Sequence, residues 1–370
     1  MEKERATFAE LLIIKRDCDL LCKIMPQTHA VFSFSISPFC SLIITEAVSY
    51  INEHGATEFH IPDNDTYPIE KIRLKAKFFD GRFEQNMRIA NNLDFIQNEH
   101  FANAMKYPEL KNWNLHDNLG IYFDENGKII GNTQYAYYMY RDDRILRSEM
   151  THALLNYSKE EMHTLGYQMG KVIGELSRGF ATLSDFVGGL GVVPTISFSY
   201  KDYNTNRLTF SDNDEYQKSV SLLLLHLLCF INYSLYGIDR YILRDSGLGL
   251  RIKYITMHYA YNHLRQLNNS AKKLPNDIAL MLSKIDFENY GNTPFRNCMM
   301  HYGLYDSNEQ RCLISPDFFD TALPLCGLVE TFFDGRTYSN VKTDTDNKLR
   351  VLSELIADTL SIDADGRKPL

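Results

Sequence analysis

The chain has 370 residues, of which 44% are hydrophobic and 23% are charged, and its formal net charge is -8. The length predicts two or three domains, and the composition is ordinary for a globular protein with a sizeable core. The acidic balance excludes a general nucleic-acid coat protein and disfavours binding to anionic membranes, but it leaves room for a local basic groove.

We expect a soluble, cytoplasmic protein that does not cross a membrane. The most apolar run, residues 220–231, is interrupted by His226 and is shorter than the roughly 20 residues that a spanning helix needs. The charged N-terminus lacks the layout of a signal peptide. The seven cysteines are odd in number, which favours reduced thiols over a disulfide framework.

The first hundred residues predict a mostly helical region. Hydrophobic periodicity, together with the positions of proline and glycine, indicates where the elements begin and end. The predicted elements are a helix over 8–25, a short strand over 30–36, a helix over 39–51, a loop at 64–67, and helices over 69–79 and 86–102.

The next segment predicts small β-hairpins and one long helix. Residues 120–131 form a hairpin pattern around Asn126-Gly127, because Asn-Gly supplies the positive φ angles of a tight turn. Ser158, with a glutamate three residues later, is a capping-box pattern that opens a helix to about residue 186. A glycine cluster at 188–191 favours a hinge, and alternation over 196–210 indicates a second hairpin.

The acidic stretch 211–215 marks the predicted boundary between residues 1–210 and residues 211–365. Helices joined by short loops imply a bundle in the second part, so the predicted fold class is mainly α. The expected helices cover 216–236, 248–269 and 276–285, with another starting near Thr293 and a last amphipathic helix carrying Leu349, Leu352, Ile356 and Leu360.

The stretch NTPFRNCMMHYG, which begins at Asn292, carries the main candidate site. Thr293 is a natural N-cap and Pro294 a natural first helical residue, so we expect a helix that begins here and ends at Gly303. Arg296 then lies in the first turn, where free N–H groups and the helix dipole attract phosphate. Its planar guanidinium can bind two phosphate oxygens.

Three side chains of this helix form a set suited to phosphodiester cleavage. Asn297 and His301 are four residues apart and are expected on one helix face. An unperturbed histidine titrates near pH ~6.5, so His301 can take and return protons at neutral pH. With Arg296 to hold phosphate, the natural target is RNA, whose own 2′-hydroxyl can be the nucleophile. No metal and no other cofactor is then required.

Arg296-Asn297-x-x-x-His301 resembles the Arg-x4-His signature of HEPN domains, in the form with a polar residue after the arginine. That family carries its signature on a late helix of a small helical bundle. The resemblance covers roughly residues 212–365, and residues 1–210 resemble no family that we recognise.

The resemblance implies a metal-independent endoribonuclease that leaves a 2′,3′-cyclic phosphate. HEPN domains usually pair, so it also implies a homodimer with a composite site at the two-fold interface. Arg296 would stabilise the phosphate charge, His301 would act as acid and base, and Asn297 would orient one of them.

The family's habits suggest a toxin or an anti-phage defence effector. Residues 1–210 would then sense or regulate, with a regulatory protein or a nucleotide as activator. Gly303 departs from a HEPN subgroup that carries a modifiable tyrosine two residues after the histidine. This departure puts that toxin–antitoxin form of regulation in doubt.

A basic segment suggests an RNA track. Between residues 240 and 273, seven lysines and arginines face one acid, which gives a local charge of +6. Cations bind backbone phosphates, and tyrosine rings stack on unpaired bases. The residues predicted to share this helical stripe are Arg251, Tyr254, His258, Tyr261 and Arg265.

Other functions remain open from the sequence alone. One is a non-catalytic HEPN-like module that dimerises or binds RNA, and another is a metal-dependent hydrolase that a chelator would inactivate. Cys298 could be imagined as a thiol nucleophile, although its helical position favours packing. His258 and His263 are five residues apart, which does not suit chelation of a metal on a helix.

Overall fold

The computed structural model describes residues 1–27, 30–54, 63–104, 118–140, 159–186, 197–205, 215–242, 245–270, 283 and 292–360. Helices dominate, so the predicted mainly-α fold is confirmed. The helices are α1 (Glu2–Ile24), α2 (Ala30–His54), α3 (Asp63–Ala76), α4 (Phe83–Ala104), α5 (Thr133–Tyr140), α6 (Lys159–Gly179), α7 (Glu215–Asn232), α8 (Ile238–Tyr241), α9 (Leu248–Asn269), α10 (Thr293–Met300), α11 (Leu328–Phe332) and α12 (Tyr338–Leu360).

Short elements connect these helices. The strands are β1 (Leu119–Asp124), β2 (Ile129–Asn132), β3 (Phe198–Tyr203), β4 (Tyr305–Asp306) and β5 (Arg311–Cys312). Tight 3-10 turns cover Met25–Gln27, Lys77–Asp80 and Ala181–Phe186, and Tyr233–Gly237 forms a π-helical turn. The turn over Lys77–Asp80 follows α3 directly and contacts α9, which brings it to the candidate site described below.

Helix α2 corrects the prediction for the N-terminal part. The strand expected over 30–36 is wrong, because α2 runs through this segment and through Pro38. Helix α2 packs against α1, α3, α5, α6 and β2. Ser35 donates its hydroxyl to the Ile130 carbonyl (3.2 Å), and Phe39 is buried.

Helix α3 begins earlier than expected. The loop predicted at 64–67 is wrong, because α3 starts at Asp63 and continues through Pro68. Proline removes one helical N–H donor, but the helix packs closely against α2 and buries Ile69 and Ile72. The predicted cap at residue 158 and the predicted helix at 276–285, apart from residue 283, lie outside the described residues, as does the glycine cluster at 188–191.

The hairpin predicted at 120–131 is confirmed. β1 and β2 pair antiparallel across a turn in which Gly127 has a φ of 74°. The Asp124 carboxylate fixes this turn by accepting hydrogen bonds from the backbone N–H groups of Asn126 (2.9 Å) and Lys128 (2.8 Å). The local signal was sufficient because the turn chemistry and the strand pairing are adjacent in sequence.

Strand β3, the described arm of the second predicted hairpin, pairs with β1. The sheet order is β2-β1-β3, with Ile121 opposite Lys201. The first arm of the predicted hairpin over 196–210 is a strand as expected, and its second arm, from residue 206 onwards, lies outside the described residues. Alternation predicts that a segment is a strand, but it does not identify the strand's partner.

Helix α7 lies at the centre of the core. It packs against α4, β2, α9 and α12, and its Leu222 to Leu225 side chains are almost completely buried. Lys218–Tyr241 is long and apolar enough to cross a membrane, but 94% of that apolar window is buried inside the protein. One continuous hydrophobic core includes residues from Ala6 to Leu360, so the two predicted parts share it across the boundary near residue 211.

Two core histidines make the fold sensitive to pH. The Asn132 amide lies 3.0 Å from Nδ1 of His226, and the Asn86 amide lies 3.4 Å from Nδ1 of His263. Burial lowers the pKa of His226 to about 3 and the pKa of His263 to about 4. Both rings are therefore neutral in the folded protein at neutral and mildly acidic pH.

We expect the free energy of unfolding to decrease as the pH falls from about 6.5 towards about 4. The unfolded chain binds protons at histidine's ordinary pKa, whereas the folded chain binds them only at lower pH, so acid favours unfolding in this window. Urea denaturation followed by circular dichroism at about pH 7 and about pH 5 measures the effect. Equal stability at both pH values would contradict it, and His263→Gln should reduce the difference.

Candidate functional site

Helix α10 carries the motif, with ends that differ from the prediction. The N-cap is Asn292 rather than Thr293, because the Asn292 side chain accepts a hydrogen bond from the backbone N–H of Phe295 (3.1 Å). The helix stops immediately before His301, which is the C-cap and has an extended backbone. The expectation that Gly303 ends the helix is therefore wrong.

His301 joins the C-terminal motif to the N-terminal helices. Its Nδ1 donates to Oε2 of Glu46 on α2 at 2.6 Å, and the other oxygen of Glu46 lies 3.4 Å from Nη2 of Arg73 on α3. The His301 side chain is 55% exposed, whereas Glu46 is only 15% exposed. The buried carboxylate thus binds Nδ1 of the ring. Nε2 is then the nitrogen that can exchange a proton with a substrate.

The Glu46 carboxylate stays ionised in this position. Burial opposes its ionisation, but the hydrogen bond and charge of His301, together with the charge of Arg73, hold the pKa of Glu46 below its usual value. A carboxylate bonded to Nδ1 fixes the tautomer and orientation of an imidazole, and it stabilises the imidazolium form. Glu46 and His301 therefore have the geometry of an acid–base dyad.

Arg296, five residues before His301, makes two side-chain contacts. Its Nη2 lies 3.1 Å from Oδ2 of Asp80 in the turn after α3, and its Nη1 donates to Oδ1 of the neighbouring Asn297 at 3.3 Å. Asn297 therefore contacts Arg296 and not His301. The Arg296 side chain is 22% exposed, so the guanidinium has both protein partners and contact with solvent.

Buried residues of α1 and α9 hold the segment around His301 in place. Arg251 on α9 donates Nε to the Met299 carbonyl (2.6 Å) and forms a buried ion pair with Asp17 on α1. The Tyr302 hydroxyl donates to the same Asp17 carboxylate (3.0 Å), and the Arg251 guanidinium stacks 4.1 Å from the Tyr302 ring. Tyr302 is turned inward by these contacts, while the preceding residue, His301, stays exposed.

A second carboxylate of α1 fixes the chain two residues further on. Glu10 accepts a hydrogen bond from the backbone N–H of Leu304 (2.5 Å) and another from the Tyr50 hydroxyl of α2 (2.6 Å). These bonds tie the chain after His301 to α1 and α2, outside helix α10. The position of the catalytic candidate thus depends on tertiary contacts as well as on its own helix.

The predicted RNA track is wrong at two of its five positions. Arg251 is 2% exposed and Tyr254 is fully buried, where it packs edge-to-face on Phe295. Helix α9 is buried on most of its circumference, so the periodicity of charged and aromatic residues did not identify a solvent face. The half-buried Tyr261 and exposed Arg265 lie at the surface, with the guanidinium 5.7 Å from the ring centre.

His258, on the same helix, lies within the electrostatic reach of the site. Burial lowers the pKa of His258 to about 4, with a further contribution from the charge of Arg296 that the Asp80 carboxylate opposes. Nε2 of His258 lies 3.0 Å from the amide nitrogen of Asn262. His258 is thus neutral at physiological pH, whereas Arg296 is a fixed cation beside it.

The described residues include no group of three or more His, Cys, Asp or Glu side chains that could hold a metal ion. Cys298 is buried, and burial raises its pKa to about 12. A thiol with such a high pKa is a poor nucleophile at neutral pH. The arrangement therefore offers proton transfer at His301 and anion binding at Arg296.

Sequence reasoning missed the N-terminal half of the site. Glu46, Arg73, Lys77 and Asp80 come from helix α2, helix α3 and the turn that follows α3. The available signal was Glu46, which is the single charged residue between residues 30 and 52 of an otherwise apolar and serine-containing stretch. A charge in such a helix is expected to have a specific partner, although the sequence does not identify it.

Comparison of this chain with protein-family models, with curated proteins and with solved structures finds no match.

Proposed function

We propose that this protein is a metal-independent, HEPN-type endoribonuclease that cleaves single-stranded RNA at Arg296 and His301. The observation that carries the proposal is the pairing of a solvent-exposed histidine with a buried carboxylate, five residues after an arginine whose side chain is 22% exposed. The Arg-x4-His pattern supports the same chemistry. The acidic net charge does not oppose it, because binding would be confined to one surface.

In this mechanism the RNA supplies its own nucleophile. Nε2 of His301 takes the proton from the 2′-hydroxyl, whose oxygen attacks the adjacent phosphorus. The P–O5′ bond breaks, and the products are a 2′,3′-cyclic phosphate and a free 5′-hydroxyl. Arg296 stabilises the negative charge that builds up on the non-bridging oxygens. Glu46 stabilises the imidazolium after His301 has taken the proton.

The leaving 5′-oxygen also needs a proton, and we assign that step to a second copy of the chain. A two-fold homodimer places His301 of one copy opposite His301 of the other, so one ring acts as base and the other as acid. We also propose that the protein acts in the cytoplasm, as a toxin or as an anti-phage defence effector. A regulatory protein or a nucleotide would then control activity through residues 1–210.

The test is cleavage of a mixed-sequence single-stranded RNA by purified protein in excess chelator. We expect fragments that end in a 2′,3′-cyclic phosphate, with cleavage lost in both Arg296→Ala and His301→Ala. Persistent cleavage in both variants would assign the activity to a contaminant or another site. Binding without cleavage by a folded, dimeric parent would favour a non-catalytic RNA-binding module, and loss of activity only on adding chelator would indicate a metal-dependent hydrolase.

A further inference from the structure

Two basic residues that the proposed chemistry does not use lie beside its site. Arg73 and His301 contact opposite oxygens of the same Glu46 carboxylate. Lys77 begins the turn that ends at Asp80, the partner of Arg296. The candidate site is therefore bordered on its α3 side by a second pair of cations.

These cations are incompletely neutralised. Three basic side chains, Arg73, Lys77 and Arg296, face two carboxylates, Glu46 and Asp80, which leaves one positive charge without counting His301. Burial and the charges of Arg73 and Arg296 lower the pKa of Lys77, and the two carboxylates offset only part of this. This group of side chains is therefore locally positive, although the whole protein has a net charge of -8.

Two guanidinium N–H groups also lack a partner at this place. Among the described residues, Nε of Arg73 and Nε of Arg296 are both buried and have no hydrogen-bond acceptor. The Arg73 residue as a whole is 95% buried, from a relative exposure of 5%. Buried donors without an acceptor are costly, so a small turn of these side chains that brings a bound anion within reach of them is favoured.

We infer that Lys77 and Arg73 form a second phosphate subsite, which binds the phosphate next to the scissile one in the same RNA strand. The identification of the strand rests on the proposed function, whereas the anion subsite rests on the contacts around Arg73 and Lys77. Arginine and lysine together suit a phosphate, because one offers directed donors and the other a mobile charge. Lys77 is exposed, so a ligand in solvent can contact it. Arg73 is buried and adds its positive charge from the protein side of the subsite.

The experiment measures binding separately from cleavage. Short RNA oligonucleotides with every 2′-hydroxyl methylated cannot be cleaved through that group, and fluorescence anisotropy reports their affinity for the full chain. A dinucleotide carries one phosphate and a trinucleotide carries two. For the parent, we expect the second phosphate to strengthen binding about tenfold, the size expected for one charge-assisted hydrogen bond.

Lys77→Gln should remove this gain for the trinucleotide and leave dinucleotide binding nearly unchanged. It should also reduce the slope of log affinity against log salt by about 0.7, the value for one phosphate of a single strand. Arg350→Gln is the matched control, since Arg350 is an exposed cation of α12 whose side chain bonds Asn347 within its own helix. That variant should behave as the parent does.

Three outcomes would overturn the inference. The first is that Lys77→Gln keeps the full increase in affinity from dinucleotide to trinucleotide. The second is that this variant binds both oligonucleotides more weakly by the same factor. The third is that inorganic pyrophosphate displaces the trinucleotide at a concentration equal to or lower than that of the trinucleotide. The last would assign the site to a free nucleotide's phosphates. If methylated RNA shows the Lys77-dependent gain but ordinary RNA is not cleaved, the proposed chemistry fails and the subsite stands. Cleavage without that gain refutes the subsite alone.

Discussion

Replacing His301 by alanine is expected to lower the rate of RNA cleavage by about 100- to 10,000-fold, the usual contribution of a general acid–base group. The side chain is 55% exposed and its contact with Glu46 lies at the edge of the fold, so its removal should leave the structure intact. Single-turnover cleavage of a defined RNA in excess chelator measures the rate. Circular dichroism confirms that the variant is folded.

Two further variants make the His301 prediction specific. Glu46→Gln keeps an acceptor near Nδ1 but removes the negative charge, so its rate should fall between those of the parent and His301→Ala. His54→Ala is the control, because His54 is an exposed histidine at the end of the same helix α2, and its described contacts are with Tyr50 alone: its Nδ1 bonds the Tyr50 carbonyl (2.9 Å) and its ring stacks on the Tyr50 ring. Parent-like cleavage by His301→Ala, with a loss in His54→Ala, would contradict the assignment.

Replacing Asp17 by alanine is expected to destabilise the protein by about 3–5 kcal/mol, because it leaves a buried arginine without its counter-ion. The Asp17 and Arg251 side chains are each only 2% exposed, and the Tyr302 hydroxyl loses its acceptor at the same time. Urea denaturation followed by circular dichroism gives the free energy of unfolding. A loss below about 1 kcal/mol, the range of exposed pairs, would show that the pair is not desolvated.

The exposed pair Arg178–Glu175 supplies the control for this stability prediction. Glu175→Ala removes one partner of an ion pair whose side chains are 73% and 41% exposed, so it should change the free energy of unfolding very little. The double variant Asp17→Leu/Arg251→Met should be more stable than Asp17→Ala, since it removes both charges and fills the space with apolar groups. It should still lose activity, because Arg251 also holds the Met299 carbonyl next to His301.

Much of the fold could be predicted wherever the determining signals are local. The predicted helix over 248–269 coincides with α9, and the apolar positions from Leu349 to Leu360 lie on α12. The hairpin around Gly127 was predictable because its turn requires a positive φ. By contrast, the strand expected over 30–36 is wrong, since this segment belongs to α2, and a short alternating pattern does not exclude a helix.

The candidate site was predictable only for the part that is contiguous in sequence. Arg296 and Asn297 are in contact on one short helix, whereas His301 is its extended C-cap and contacts Glu46, so the expected single helix face for Asn297 and His301 is wrong. Glu46 and Asp80 reach them through the packing of α2 and of the turn after α3, and no sequence spacing encodes those distances. Arg251 was misassigned because burial of an arginine requires a buried partner, Asp17, which only the tertiary structure reveals.

The bridge from Glu46 to His301 and Arg73 has a consequence for searching sequences with short patterns. A chain can match Arg-x4-His and yet lack an acid at the position of Glu46. Such a chain carries the motif residues but not the group that orients the histidine. A useful search profile would therefore include a lone acid in an apolar helix far upstream, together with a basic residue at the position of Arg73. Such a profile would separate chains that can assemble this centre from chance matches to two residues.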